Sequence, residues 1–290
     1  MTSEHVTLVE VGPRDGLQNE KTFIPTDQKI TLINALTAAG FSRIEATSFV
    51  SPKWVPQLSD AMEVMAKIDR AHGTAYSVLT PNLRGFEAAI AAKADEVAIF
   101  GAASETFSQK NINCTIAESL DRFRPVAEAA RAQGIPMRGY VSCVIECPYE
   151  GAISPDAVAR VAAALVKMGC HEISLGDTVG KGKPETVAAM LDAVLGEVPA
   201  ERLAGHYHDT NGRAVESIEV SLEKGLRVFD SAIGGLGGCP YAPGAKGNVD
   251  TLKVHNAVMG LGYQTDLDME RLEYATKLIR EILNAIGRID

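Results

Sequence analysis

Two imidazoles two residues apart, His206 and His208 in the run Gly205-His206-Tyr207-His208-Asp209, can grip one metal ion if that run is a strand. Alternate side chains of a strand share a face, which also turns Tyr207 away toward the core. Gly12-Pro13-Arg14-Asp15-Gly16-Leu17-Gln18 offers the Asp15 carboxylate just after another strand-like run, and a Gly-rich stretch at 234–248 carries Cys239 and ends on Asn248. Two imidazoles, a carboxylate and an amide oxygen form a mixed nitrogen and oxygen set. Such a set suits a divalent ion that keeps positions open for substrate oxygens. The chain therefore reads as a metal-dependent enzyme.

The composition is compatible with that chemistry and argues against several others. Apolar residues make up 46% of the 290 positions and charged ones 22%, enough for a large buried core. A formal charge of −9 with no compensating basic cluster speaks against a nucleic-acid surface. No apolar stretch approaches the ~18 residues of a membrane span, and Met1-Thr2-Ser3-Glu4-His5 leads straight into a strand-like run. The five cysteines, Cys114, Cys143, Cys147, Cys170 and Cys239, form no CxxC pair. Free thiols and a cytoplasmic location are the expectation.

The elements that must position these residues alternate along the chain with a repeat of about 30 residues. Strands are predicted at 6–11, 43–49, 75–79, 96–100, 137–143, 172–175, 204–208 and 228–233, most of them apolar on both faces, as strands covered by helices are. Helices are predicted at 26–39, 83–92, 116–133, 155–168, 184–195 and 212–224, several opened by Thr, Asn or Ser-Pro and closed by Gly. The economical reading is an α/β chain forming a single (β/α)8 TIM barrel over 1–290, with an extra C-terminal helix at 268–286. A doubly wound sheet is the alternative. In a barrel, chemistry belongs at the C-terminal ends of the strands. Arg14, Asp15, Glu45, Asp177, His206, His208, Cys239 and Asn248 all fall there in this reading.

The runs VEVGPRDGLQNEK, IEATSFVSPKWVPQ, KNINCTI, RGYVSCV, EISLGDT, GHYHDT and GGLGGCPYAPGAKGN closely resemble the 3-hydroxy-3-methylglutaryl-CoA lyases, within the aldolase-like metallolyase group of (β/α)8 barrels. The resemblance runs from about residue 6 to residue 265. It implies cleavage of a branched hydroxyacyl-CoA to acetyl-CoA and acetoacetate with Mg2+ or Mn2+. It places metal ligands on Asp15, His206, His208 and Asn248, and catalytic residues on Arg14, Glu45, Asp177 and Cys239. It also implicates Lys21 and Asn111 at the mouth, with Gln18, Arg138, Ser174 and Thr178 lining the acyl pocket. An acyl-CoA substrate and a homodimer are the expected partners. The setting, leucine breakdown or ketone-body formation, is left open.

The chemistry asked of these groups agrees with their types. Arg14 carries a permanent charge and planar donors for a thioester enolate oxygen. Asp177 or an imidazole of the ligand set could take the hydroxyl proton, His206 among them. Cys239, in a Gly-rich loop, is the candidate proton donor to carbon. Glu45 is expected to position Arg14 or steady the site. Cys143 and Cys170 read as buried packing groups, and His5, His72, His171 and His255 as ordinary histidines. Where relatives continue with an acidic pair after the Asn248 position, this chain has Val249-Asp250-Thr251-Leu252-Lys253, so Asp250 is a candidate substitute charge. Lysis of a related substrate such as citramalyl-CoA, and acyl transfer in the condensing direction, are the competing functions.

Overall fold

The computed structural model describes residues 4–237 and 247–287. Eight parallel strands close into a barrel: β1 (Thr7–Glu10), β2 (Arg43–Ser48), β3 (Ala75–Leu79), β4 (Glu96–Ala102), β5 (Met137–Ser142), β8 (Glu172–Asp177), β9 (Leu203–Tyr207) and β10 (Val228–Ser231). A two-stranded antiparallel hairpin, β6 (Glu146–Cys147) with β7 (Gly151–Ala152), interrupts the series after β5. The circuit closes where β1 pairs with β10 from Thr7↔Val228 to Glu10↔Ser231. The single (β/α)8 architecture is thus the one read from the alternation.

Helices α1 (Thr26–Ala38), α3 (Leu83–Ala91), α5 (Ile116–Gln133), α6 (Pro155–Met168), α7 (Pro184–Leu195) and α8 (Ala214–Glu223) follow their strands within two residues of the predicted ends. Their boundaries have local causes. Asn82 accepts from the Gly85 N–H, Thr115 and Glu118 form a capping box, and Gly134 ends α5 in the left-handed region. Pro155 and Pro184 occupy first-turn positions, where a missing N–H costs no helical bond. Three helices escaped the sequence pattern: α2 (Ala61–Lys67), α4 (Glu105–Ile112) and α9 (Thr251–Gly260). The first two are short, and the polar α4 depends on its Ser104 cap and on packing more than on an apolar stripe.

The last helix, α10 (Met269–Ala285), packs on α1 and completes the outer ring. Asp268 caps it by accepting from the Arg271 N–H, and the Arg271 guanidinium donates to the Ala38 carbonyl at 2.9 Å. The core follows the two-faced burial expected of covered parallel strands: all six residues of β8 and all five of β9 are buried.

Candidate active site at the C-terminal end of the barrel

Gly12–Gly16 forms a single turn of π-helix directly after β1, and this turn delivers Arg14 and Asp15 to the barrel mouth. The turn must lie close to the segment after β10. A Cβ on Gly16 would come within 2.6 Å of the Leu236 Cβ, so only glycine permits the approach. Glu10 ties the same pieces together, accepting from the N–H groups of Gly12 at 2.8 Å and Ile233 at 2.9 Å and from the Thr251 hydroxyl at 2.7 Å. Burial pushes its carboxyl up to about 8, although those three donors oppose the rise.

β9 ends at Tyr207, so His206 lies within the strand and His208 one residue past it, where it bridges Asn248 in antiparallel register. The two-residue spacing keeps both rings on one side, with centroids 5.4 Å apart. Tyr207 faces the other way, as its sequence position requires, and its hydroxyl lies 2.7 Å from Ser221 Oγ. The segment resuming at Gly247 docks beside this strand end. Asp209 donates its N–H to the Gly247 carbonyl and Val249 donates to the Tyr207 carbonyl. Asn248 then donates from Nδ2 to Asp15 Oδ2 at 2.8 Å and to the Leu236 carbonyl at 3.2 Å.

Ligand atoms of Asp15, His206 and His208 all lie within 4.8 Å of one another, and Asn248 is bonded to that Asp15 carboxylate. All four expected ligands therefore converge. Burial alone would raise the Asp15 carboxyl, but Arg14 and the two imidazoles hold it down to about 2. Burial and the neighbouring His206 press His208 down to about 4. His206 is also penalised by burial, yet its bond to Asp230 raises it above the ordinary value.

One observation fits a divalent cation: His208 Nδ1 is buried with no hydrogen-bond partner among the described residues, beside the Asp15 carboxylate and the His206 ring.

Arg14 is gripped from two directions. Its Nε donates to Glu45 Oε2 at 2.7 Å, one Nη contacts Asp15 Oδ1 at 2.5 Å, and its guanidinium lies 5.3 Å from the Tyr140 ring centroid. Glu45 is thus bonded to Arg14. Burial raises its carboxyl despite the Arg14 charge, and its Oε1 has no partner among the described residues.

Other expected site residues have partners of their own. Asp177 ends β8 and its carboxylate accepts the N–H groups of Gly180, Lys181 and Gly182 at 3.1, 3.2 and 2.6 Å. It anchors the following loop, because three backbone donors outcompete any single side chain for its oxygens. Arg138 and Ser174 are both fully buried and bond Asp230. Asp250 caps α9 through the Leu252 N–H, which gives it a local task away from the ligands.

Thr178 is half-buried and accepts from the Cys143 N–H at 3.0 Å, and Gln18 is half-buried on the far side of the Arg14 turn. Lys21 and Asn111 are exposed. The backbone around Lys21 is fixed by Gln57, whose amide donates to the carbonyls of Glu20 and Thr22 and accepts from the Ile24 N–H. Cys239 lies outside the described residues. Sequence reasoning missed Asp230, Tyr140 and Glu10, although each is a polar residue in a mostly buried barrel strand, the signal that could have found them.

Comparison with known proteins decides the family, since the HMGL-like family model matches residues 5–279. The chain belongs to the HMGL-like family. It is 56% identical over 281 residues to the mitochondrial hydroxymethylglutaryl-CoA lyase of Bos taurus, covering 97% of this chain and 86% of that one. It is 54% identical to the cytoplasmic 3-hydroxy-3-methylglutaryl-CoA lyase of Mus musculus, covering 97% and 82%. Among solved structures, the HMG-CoA lyase of Brucella melitensis superposes with a TM-score of 0.95 at 62% identity, covering 97% of this chain and 99% of that one. A family member from Acinetobacter baumannii, solved with coenzyme A and 3-methylmalate, superposes at 0.92 with 38% identity, covering 99% and 97%.

Proposed function

We propose that this enzyme is a divalent-cation-dependent carbon–carbon lyase that cleaves 3-hydroxy-3-methylglutaryl-CoA to acetyl-CoA and acetoacetate. The observation that carries the reading is the meeting of Asp15, His206, His208 and Asn248 beside a buried, doubly held Arg14, in a chain more than half identical to lyases of that name. A bound Mg2+ or Mn2+ supplies Lewis acidity that lowers the substrate hydroxyl pKa and fixes its orientation.

The protein supplies the rest. Glu45 and Asp15 hold the Arg14 guanidinium so that its charge faces the thioester oxygen as the carbon–carbon bond breaks, with no reorganisation needed at that moment. Tyr140 supports the same geometry by donating to Glu45 at 3.1 Å. Cys239 is assigned to deliver the proton to the enolate carbon. Lys21 and Asn111 are exposed and are assigned to the coenzyme A portion of an acyl-CoA. A homodimer in the cytoplasm completes the reading, and no helix among the described residues is long and apolar enough to cross a membrane.

The test is acetoacetate release from 3-hydroxy-3-methylglutaryl-CoA by chelator-treated protein, with and without added Mn2+, beside citramalyl-CoA as competitor. Cation-restored release from the first substrate is expected. Turnover of citramalyl-CoA alone would move the substrate and leave the reaction class in place.

A further inference from the structure

Asp230 belongs to none of the motifs that identify the site, yet it makes more bonds beneath it than any ligand does. It is 2% exposed in β10. Its Oδ1 accepts from one Nη of Arg138 at 2.7 Å, and its Oδ2 accepts from the other Nη at 3.1 Å and from Ser174 Oγ at 2.7 Å. The same Oδ2 lies 3.1 Å from His206 Nδ1. A carboxylate in a bidentate pair with a guanidinium holds no proton to donate. The contact with His206 is therefore a hydrogen bond only when Nδ1 carries the hydrogen. That leaves the Nε2 lone pair on the opposite edge of the ring, the edge that faces Asp15 Oδ2 at 3.9 Å.

The support beneath Asp230 is itself rigid. Arg138 donates through Nε to Glu172 at 2.7 Å, Glu172 receives Arg43 at 2.9 Å, and Arg43 reaches Glu96 at 3.3 Å. These groups come from β5, β8, β2 and β4, so four strands fix one carboxylate. His208 has no equivalent partner, since its Nδ1 is buried without one among the described residues. Of two imidazoles that sequence makes look equivalent, one is preset and the other is not.

We propose that Asp230, held by Arg138 and Ser174, is a positioning residue that fixes His206 with Nδ1–H toward the barrel interior and the Nε2 lone pair toward the ligand cluster, and so sets the affinity of the site for its cation. Outer carboxylate partners of metal-binding histidines act in this way. The inference rests on the metal-dependent reading of the same site, but its test does not rest on turnover.

Mn2+ binding to the metal-free full chain, followed by titration calorimetry, is compared for wild type, Asp230→Asn and Ser174→Ala, with thermal melts as the check on folding. Asp230→Asn is expected to weaken Mn2+ binding by about 10–100-fold and Ser174→Ala by a few-fold. Mn2+ affinity within twofold of wild type in a folded Asp230→Asn protein would overturn the proposal. Should that variant not fold, 15N-histidine NMR of the unaltered protein loaded with Mg2+ gives the same decision. A slowly exchanging Nδ1–H on His206 supports it, and an Nε2–H overturns it. A protein whose Mn2+ affinity falls as expected but which cleaves no hydroxyacyl-CoA keeps the role of Asp230 and loses only the substrate. A wild type that binds no Mn2+ overturns both.

Discussion

The floor and the mouth of this barrel are built from the same residue types and end in opposite conditions. At the floor, Arg43 bridges Glu172 and Glu96, His171 Nε2 lies 2.6 Å from Glu96, and Arg138 spans Glu172 and Asp230. Each buried charge there meets an opposite one. At the mouth, Glu45 Oε1 and His208 Nδ1 are buried without partners among the described residues. A buried polar atom left unpaired costs about 1–3 kcal/mol. Among the described residues the fold tolerates that cost at the proposed site and not in the ion pairs of the floor. His171, read from sequence as an ordinary histidine, shows how far the floor goes to close its charges.

The contrast is most easily broken at the mouth. His206→Ala or His208→Ala should abolish both Mn2+ binding and lyase turnover while the melting temperature of the metal-free protein stays near wild type. Retention of Mn2+ binding would remove these residues from the ligand set. Arg14→Lys should follow, lowering kcat by about 10²–10³-fold with Mn2+ affinity kept, because a compact ammonium cannot reproduce the guanidinium fork. Steady-state kinetics at saturating Mn2+ check it.

At the floor the effects should appear in stability and not in chemistry. Arg43→Met removes one partner each from Glu96, which keeps His171, and Glu172, which keeps Arg138, and should cost about 3 kcal/mol in urea unfolding, with kcat within a few-fold of wild type. A large fall in kcat at unchanged stability would erase the distinction between the two ends. Glu10 gives a pH signature. Its carboxyl lies at about 8 in the fold against 4.5 as the ordinary value, so between those pH values the folded protein holds a proton that the unfolded chain has released. Stability from this group therefore falls as pH rises through that window. Glu10→Gln, which stays neutral and can still accept from the Gly12 and Ile233 N–H groups, should flatten the decline of melting temperature between pH 5 and 8. A slope equal to wild type would show that Glu10 is not the group responsible. The smallest effect is expected for Tyr207→Phe, about 1 kcal/mol of stability from the lost Ser221 bond, with cation binding and turnover unchanged.

Much of the fold was legible because it depends on local rules. Alternating apolar strands and capped helices at 83–92, 116–133 and 155–168 are dictated by neighbours within a turn or two, and they emerged with small shifts at their ends. The convergence of the two imidazoles was legible because His206 and His208 lie on one strand-end face whatever the rest of the chain does. The strand-end position of Asp177 was legible too, but the backbone donors at 180–182 that its carboxylate accepts were not.

The sequence by itself determined the alternating units, the pairing of His206 with His208 on one face and the face that each strand residue takes. Only the tertiary structure decided which charges belong to chemistry and which to architecture. Arg138 and Asp230 are 92 positions apart, Arg43 and Glu172 are 129, and Glu10 and Thr251 are 241. No periodicity or spacing encodes such pairs. They exist because barrel closure brings strands from both ends of the chain to one axis, where burial makes every charge either find its partner or await a ligand.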